Sequence, residues 1–311
     1  MECCPRSRRS PGRRQGHHYR RCRLRPVRQL TEAVHRRRPS AILLSADDGR
    51  YAPLILQIKR LAGSGQSTTT AFSVPEGTLG WWQNHFKALR VDSSISRVSP
   101  DEERLSLKDP DGLQLDLIAS STADPRNPWD SASVPAEYAV RGQHSSVLTV
   151  ANPERTVRVL TDDLGLRIIG ETADRTRLAA GDGGAGNIVD VVADPKAPRG
   201  LVAGGTVHHI AFRVPDKATQ ELWRQDLVDR GFAVTAILDR QYFTSIYFRE
   251  PGGVLFEIAT DTPGFNVDEP LLELGRSLKL PPWLEPTREA IEASVARIQV
   301  PGENNPAVAE R

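Results

Sequence analysis

The sequence predicts an α+β protein made of tandem βαβββ modules, which pair into cupped sheets or barrels and are followed by a C-terminal helical tail. The main observation is a recurring sequence motif, in which a Pro-Gly turn leads into an apolar strand that carries one carboxylate. It occurs at residues 109–118 and 250–259, and in a weaker form without the proline at 186–192. Repetition of this kind indicates a chain built from copies of one unit.

The segments that open each unit also resemble one another. Three of them have the residue types of a strand, at 69–75, 144–150 and 209–215,. Each is followed by apolar residues three and four positions apart, which would place one face of a helix on a sheet. These helices are predicted at 77–89, 154–164 and 219–227. The alternative is that any α/β protein shows some strand–helix–strand patterning of this kind.

The repeats suggest a division of the chain. The second module is predicted at 63–143, the third at 144–205 and the fourth at 206–265, and the tail at 266–311 has a helix at about 287–298. Such units bury their apolar faces in pairs, so three modules require a fourth. The part of the chain that remains for this additional module is the anomalous basic segment 1–62.

A candidate metal site lies in the fourth module, where His208 and His209 are predicted within a strand. Successive strand residues face opposite sides, so only one of the two can enter a given cavity. Glu257 is costly on its apolar strand unless it is paired or bound to a metal. With a second histidine from a paired module, these residues would form the two-histidine, one-carboxylate set of non-haem Fe(II) oxygenases. Alternatively, the histidine is a core residue and Glu257 pairs with Arg240 or Arg249.

Composition limits the classes of function. The hydrophobic fraction of 39% and the charged fraction of 26% are ordinary for a soluble globular protein,. Residues 1–38 hold thirteen arginines against two acidic residues, while the net charge of the whole chain is only +2. The body is therefore mildly acidic, and we expect neither nucleic acid nor a membrane as partner. The three cysteines all lie near the start, and no secretory signal is recognisable, so we expect a cytoplasmic protein,.

Three strings carry a resemblance to a known family. They are VHHIAFRV at 207–214, DRQYFTSIYFREPGGVLFEIATDTPGF at 239–265 and LGRSLKLPPWLEPTREAIEA at 274–293. They closely resemble hydroquinone-type ring-cleaving dioxygenases of the vicinal oxygen chelate, or glyoxalase–bleomycin resistance, superfamily. The resemblance extends less tightly over about 68–298.

The resemblance implies a fold of four βαβββ modules with a metal ion held between the first and the last. His209 and Glu257 match metal ligands, with Fe(II) as the usual ion and Mn(II) as a second candidate. The implied reaction is the cleavage of a hydroquinone or catechol-type aromatic by O₂. A homo-oligomer is compatible with such a protein.

The resemblance also implies roles beside the metal. His208 or Tyr247 would hydrogen-bond the second substrate oxygen or take its proton, and Arg240 would stabilise developing negative charge. Tyr242 and Phe243 would line the substrate pocket, together with Tyr247. The alternatives are structural: His208 could anchor its strand, Arg240 could pair with a nearby carboxylate, and Tyr247 could be a packed strand aromatic.

The first module departs from the family pattern. Its expected histidine pair is present as His17 and His18, which makes His18 the nominal third ligand. However, an arginine-rich sequence follows this pair instead of an apolar strand,. Three explanations remain: an out-of-frame reading of a GC-rich gene over about 1–62, a genuine basic extension, or real divergence. We favour the first, which would leave the activity of this chain in question.

Two other functions compete with the dioxygenase. One is a glyoxalase-like metal-dependent isomerase or lyase, which would need a further carboxylate such as Asp116 or Asp190. The other is a catalytically inactive paralogue that binds a small molecule. Fold alone cannot separate them, although the aromatic residues predicted near the site favour the dioxygenase.

Overall fold

A computed structural model describes residues 25–26, 61–128, 134–203, 205–271, 273–275 and 277–295. Its strands are β1 Arg25–Pro26, β2 Gln66–Val74, β3 Ser93–Ser99, β4 Glu102–Lys108, β5 Gln114–Ser120, β6 Gly142–Val150, β7 Arg167–Glu171, β8 Arg175–Ala179, β9 Ile188–Ala193, β10 Ile210–Val214, β11 Leu238–Asp239, β12 Thr244–Arg249 and β13 Leu255–Thr260. Its helices are α1 Leu79–Ala88, α2 Pro153–Arg158 with a π-helical continuation Val159–Asp163, α3 Lys217–Asp229 and α4 Arg288–Ser294, and short 3-10 turns occupy Phe265–Val267 and Glu285–Thr287.

The predicted fold class is confirmed. Among the described residues, one sheet has eight strands in the order β3-β4-β5-β2-β6-β9-β8-β7, and the other has five in the order β1-β10-β13-β12-β11. Each repeat pairs its first strand in parallel with its last: β2 with β5, β6 with β9, and β10 with β13. Antiparallel pairing of β2 with β6 joins two repeats into the larger sheet.

The first strand of the last repeat has a partner of its own. β1 runs antiparallel to β10 on the side away from β13, with Arg25 opposite Arg213 and Pro26 opposite Phe212. This is the place that β2 takes beside β6 in the larger sheet. A segment from the N-terminal part of the chain therefore borders the repeat that contains the candidate metal ligands, whereas His18 lies outside the described residues.

Helix α3 is specified by its ends and by one buried side. The carboxylate of Asp216 accepts a hydrogen bond from the Thr219 amide at 2.8 Å, which caps the helix start,. Gly231, at φ +90°, follows the helix end in the left-handed conformation that glycine tolerates,. Leu227 and Gln220 are fully buried and hold the helix against the smaller sheet.

Alternation along the strands divides the smaller sheet into two faces. Phe212, Phe256 and Phe248 lie on the face that joins a core shared with the third repeat. Their rings meet edge to face, with centroids 5.4 Å apart for Phe212–Phe256 and 5.7 Å apart for Phe248–Phe256. Glu257 and Tyr247 are the next residues along their strands and so face the other way. The candidate site thus stands on a sheet whose reverse side is anchored in the core.

The predicted C-terminal helix is present as α4, and it ends at Ser294, short of the predicted 298. Residues beyond 295 are outside the described part of the chain. Ahead of the helix, Trp283 is 61% exposed, so this part of the tail is mostly at the surface. Among the described residues, no helix is long and apolar enough to cross a membrane.

Candidate metal centre

Glu257 lies at the centre of the smaller sheet. On β13 it stands opposite Ala211 of β10 on one side and Tyr247 of β12 on the other. The residue is only 3% exposed. A carboxylate in such a place needs a partner that offsets the loss of hydration.

His209 supplies that partner. Its Nε2 lies 2.7 Å from Oε2 of Glu257. The prediction that the histidine pair lies inside a strand is wrong, because β10 begins at Ile210, the first residue in the ladder with β13, so both histidines lie just before the strand. His209 therefore leads into the strand on the same side as Ala211, and this places its ring beside the carboxylate.

The pair is compatible with a metal ion. Adjacent ligand atoms of a six-coordinate ion with bonds of about 2.1 Å lie about 3 Å apart, close to the spacing of His209 Nε2 and Glu257 Oε2. Imidazole nitrogen and carboxylate oxygen together suit Fe(II), Mn(II) or Zn(II). Within the described residues, no group of three histidines, cysteines or carboxylates could hold a metal. The predicted third ligand, His18, belongs to the part of the chain that is not described.

His208 is coupled to the candidate ligand. The Nδ1 atoms of His208 and His209 are 3.0 Å apart, and their rings are nearly perpendicular. One nitrogen must donate and the other accept, so the tautomer of one histidine fixes the tautomer of the other.

Tyr247 lies on the opposite side of Glu257. Its hydroxyl donates a hydrogen bond to Oε1 of Glu257 at 2.9 Å, and its ring meets that of His209 with centroids 5.5 Å apart. Burial and the negative charge of Glu257 raise the pKa of Tyr247 to about 12, against the lowering effect of Ser245. Tyr247 therefore keeps its proton near neutral pH.

Arg240 reaches the same group from a turn. The chain reverses after β11 through Gln241, whose φ is +68°. The guanidinium carbon of Arg240 lies 5.5 Å from the ring centroid of Tyr247, a cation–π distance,. Its Nε donates to Oγ of Ser245 at 3.3 Å. His209, Glu257, Tyr247 and Arg240 thus form one connected group.

Tyr242 and Phe243 occupy the turn next to Arg240. The Tyr242 ring stacks on Phe265 with centroids 5.1 Å apart, and its hydroxyl donates to Asp268 at 3.0 Å. Burial and hydrogen bonding to Asp268 raise the pKa of Tyr242 to about 12. Phe243 also approaches Phe265, at 6.1 Å. Sequence reasoning did not identify Phe265, although it ends the string that carries the family resemblance.

The two remaining repeat carboxylates have different surroundings. Asp190 of β9 accepts hydrogen bonds from Nε and Nη2 of Arg177 at 2.8 and 3.0 Å, and from Arg175 at 3.2 Å. Asp116 of β5 accepts from the Ser106 hydroxyl at 2.7 Å. Both carboxylates lie in the larger sheet and already have partners within it.

Comparison with known proteins identifies the fold and the family. The family described as the Glyoxalase/Bleomycin resistance protein/Dioxygenase superfamily matches residues 142–258. The crystal structure of a presumed dioxygenase from Bacillus subtilis superposes with a TM-score of 0.72 and 33% identity, covering 78% of this chain and 76% of that one. The fold therefore defines a class of protein built from paired βαβββ units with cupped sheets.

Two relatives narrow that class. Chlorohydroquinone/hydroquinone 1,2-dioxygenase of Sphingobium indicum is 37% identical over 235 residues, covering 74% of this chain and 72% of that protein. MhqO of Bacillus subtilis, named as a presumed ring-cleaving dioxygenase, is 36% identical over 240 residues, covering 76% and 75%. The chain belongs to the glyoxalase/bleomycin resistance protein/dioxygenase superfamily, among relatives named as ring-cleaving dioxygenases, so the predicted family is confirmed.

Proposed function

We propose that this protein is an Fe(II)-dependent, extradiol-type ring-cleaving dioxygenase that acts on a hydroquinone or catechol-type aromatic with O₂. The observation that carries the proposal is the buried pair of His209 and Glu257, 2.7 Å apart and bordered by Tyr247. His209 and Glu257 would hold the ion, with a third ligand from the N-terminal part of the chain. A bound Fe(II) would bring the ring substrate and O₂ together and acidify the bound hydroxyl group.

The histidine pair would prepare a proton donor. When His209 binds a metal through Nε2, its own proton must sit on Nδ1, which faces Nδ1 of His208,. Nδ1 of His208 then accepts, and its proton sits on Nε2. His208 would therefore present an N–H group to a substrate oxygen, or return that proton later in the reaction.

Tyr247 and Arg240 would complete the polar surroundings. The hydroxyl of Tyr247 stays protonated at neutral pH and orients Oε1 of Glu257,. The guanidinium of Arg240 stays charged and lies over the tyrosine ring, where it would stabilise negative charge that develops on the substrate,. Tyr242 and Phe243, on the adjacent turn, would form the aromatic wall that selects a planar ring.

The two carboxylates that an isomerase site would need as further ligands are already hydrogen-bonded elsewhere. Asp116 and Asp190 belong to the larger sheet and are engaged by Ser106 and Arg177. A metal held by His209 and Glu257 would therefore gain no carboxylate from either residue.

For the chain organisation we propose modules at 63–143, 144–205 and 206–265, with residues 1–62 in the place of the first.

The test is oxygen consumption. The protein is loaded with Fe(II) without air, a small substituted hydroquinone is added, and O₂ uptake is followed beside a Glu257→Gln control. Uptake by the parent alone would support the proposal. Bound iron without uptake would contradict it and favour a small-molecule-binding protein, and absence of bound iron would show that residues 1–62 do not complete the site.

A further inference from the structure

The hydroxyl of Ser245 lies beside both Arg240 and Tyr247. Ser245 is fully buried on β12 and precedes Tyr247 by two residues, so the two side chains lie on the same face,. Its Oγ accepts the hydrogen bond from Nε of Arg240 at 3.3 Å. The apolar core does not require a serine here, because the core residues of β12, Ile246 and Phe248, face the opposite side of the sheet.

We propose that Ser245 is a positioning residue that fixes the guanidinium of Arg240 above Tyr247. The catalytic consequence rests on the proposed dioxygenase function, but the positioning itself does not. Ser245 acts through Arg240 and is not assigned a contact with substrate.

The need for such an anchor follows from where Arg240 begins. It leaves the short strand β11 at a turn, and a long arginine side chain loses considerable rotamer entropy when it is fixed. Cation–π attraction alone sets a distance to the ring but leaves the guanidinium plane free to rotate. A hydrogen bond through Nε fixes that plane, and with it the direction of both terminal nitrogens.

The neighbouring residue provides a matched control. Thr244 also bears a hydroxyl on β12, but it faces the other way and donates to Oε1 of Gln220 at 2.8 Å. Ser245→Ala and Thr244→Val each remove one hydroxyl from adjacent positions of one strand. Only Ser245→Ala removes the contact with Arg240.

The direct test is the exchange of the Nε proton of Arg240 with water, followed by NMR of ¹⁵N-arginine-labelled protein. The resonance is assigned by its absence in Arg240→Lys. We expect exchange about tenfold faster in Ser245→Ala, the loss of one net hydrogen bond, and unchanged exchange in Thr244→Val. Equal exchange rates in the parent and Ser245→Ala would overturn the proposal, whether or not the protein cleaves a ring.

A double-mutant cycle tests the link to catalysis. In the active protein, Ser245→Ala should lower kcat by about 10-fold with KM little changed, as expected when a supporting contact is lost. In an Arg240→Ala background, the same change should have a much smaller effect, because Ser245 acts chiefly through Arg240 and only its contact with Tyr247 remains,. Additive losses would contradict the proposal. If the parent itself shows no turnover, the dioxygenase assignment fails while the proton exchange result still decides the role of Ser245.

Discussion

Asp190 and Glu257 occupy the same point of two copies of one structural unit. Asp190 lies opposite Val147 across the parallel pair β6–β9, and Glu257 lies opposite Ala211 across the parallel pair β10–β13. Asp190 is bound by the guanidinium of Arg177, a cation that does not lose its charge, whereas Glu257 faces an imidazole,. Only the second arrangement leaves a lone pair and a negative charge that can both be given to a metal.

We therefore predict that Glu257→Gln lowers the affinity for Fe(II) or Mn(II) by more than about 100-fold, since even an outer-shell partner costs 10–100-fold when removed. Asp116→Asn is the control, because Asp116 occupies the corresponding place in β5 and bonds to Ser106. Metal content after anaerobic loading and gel filtration measures both. An equal metal content in the two variants would refute the assignment of Glu257.

Tyr247→Phe should affect both the carboxylate and the metal. It removes the donor to Oε1 of Glu257, and an unsatisfied buried acceptor costs about 1–3 kcal/mol of the free energy of unfolding,. Metal affinity should fall by about 10-fold. Tyr242→Phe, which loses only an exposed contact with Asp268, should leave metal affinity unchanged. Titration of each variant with Mn(II) distinguishes them, and equal affinities would argue against an orienting role for Tyr247.

The larger sheet should lose stability in acid. Burial acts to raise the pKa of Glu102, but hydrogen bonds and charge interactions with His144 and Arg177 outweigh it and lower the pKa to about 2 from 4.5. A lowered pKa means that the unfolded chain takes up the proton first, so the stabilisation is present above pH 4.5 and is lost as the pH falls towards 2,. The loss is about 3 kcal/mol.

Chemical unfolding at pH 6 and pH 3 measures this effect. Glu102→Gln should show a smaller decrease in the free energy of unfolding than the parent over that interval. Glu103→Gln is the control, since Glu103 is exposed and pairs with Arg97 at the surface,. A Glu102→Gln variant with the same pH dependence as the parent would rule out this source.

Gln220 should be essential for anchoring α3. Its Nε2 donates to the carbonyl oxygens of Thr244 and Ile258 at 2.8 and 2.7 Å, from a fully buried position. Gln220→Met keeps the volume but leaves these carbonyls without that donor, at a cost of about 2–4 kcal/mol in the free energy of unfolding. Gln225→Met, on the exposed side of the same helix, should change it by less than about 0.5 kcal/mol,. Similar midpoints in urea for both variants would contradict this role.

Much of the fold could be predicted because its signals are local and repeated. The turn-strand-carboxylate motif predicts the closing strands β5 and β13, and the spacing of apolar residues predicts the helices α1, α2 and α3. The pairing of β2 with β6, which joins the described strands of two repeats into one eight-stranded sheet, was not predicted from the sequence. Sheet order depends on which strand edges meet, and residue patterns within one strand do not encode that.

For the candidate site, the sequence by itself singled out the residue types. A histidine pair predicted within a strand and a carboxylate in an apolar strand indicate metal chemistry, because burying them without a partner is costly. The strand pattern left open which histidine meets Glu257, and the family resemblance pointed to His209. Only the tertiary structure brings the side chains of His209 and Glu257 together and adds Ser245 to the group of Tyr247 and Arg240. The tertiary structure also pairs the carboxylate of Asp190 with the guanidinium of Arg177. These outcomes depend on strand register and side-chain direction, which are set by contacts between residues far apart in the chain.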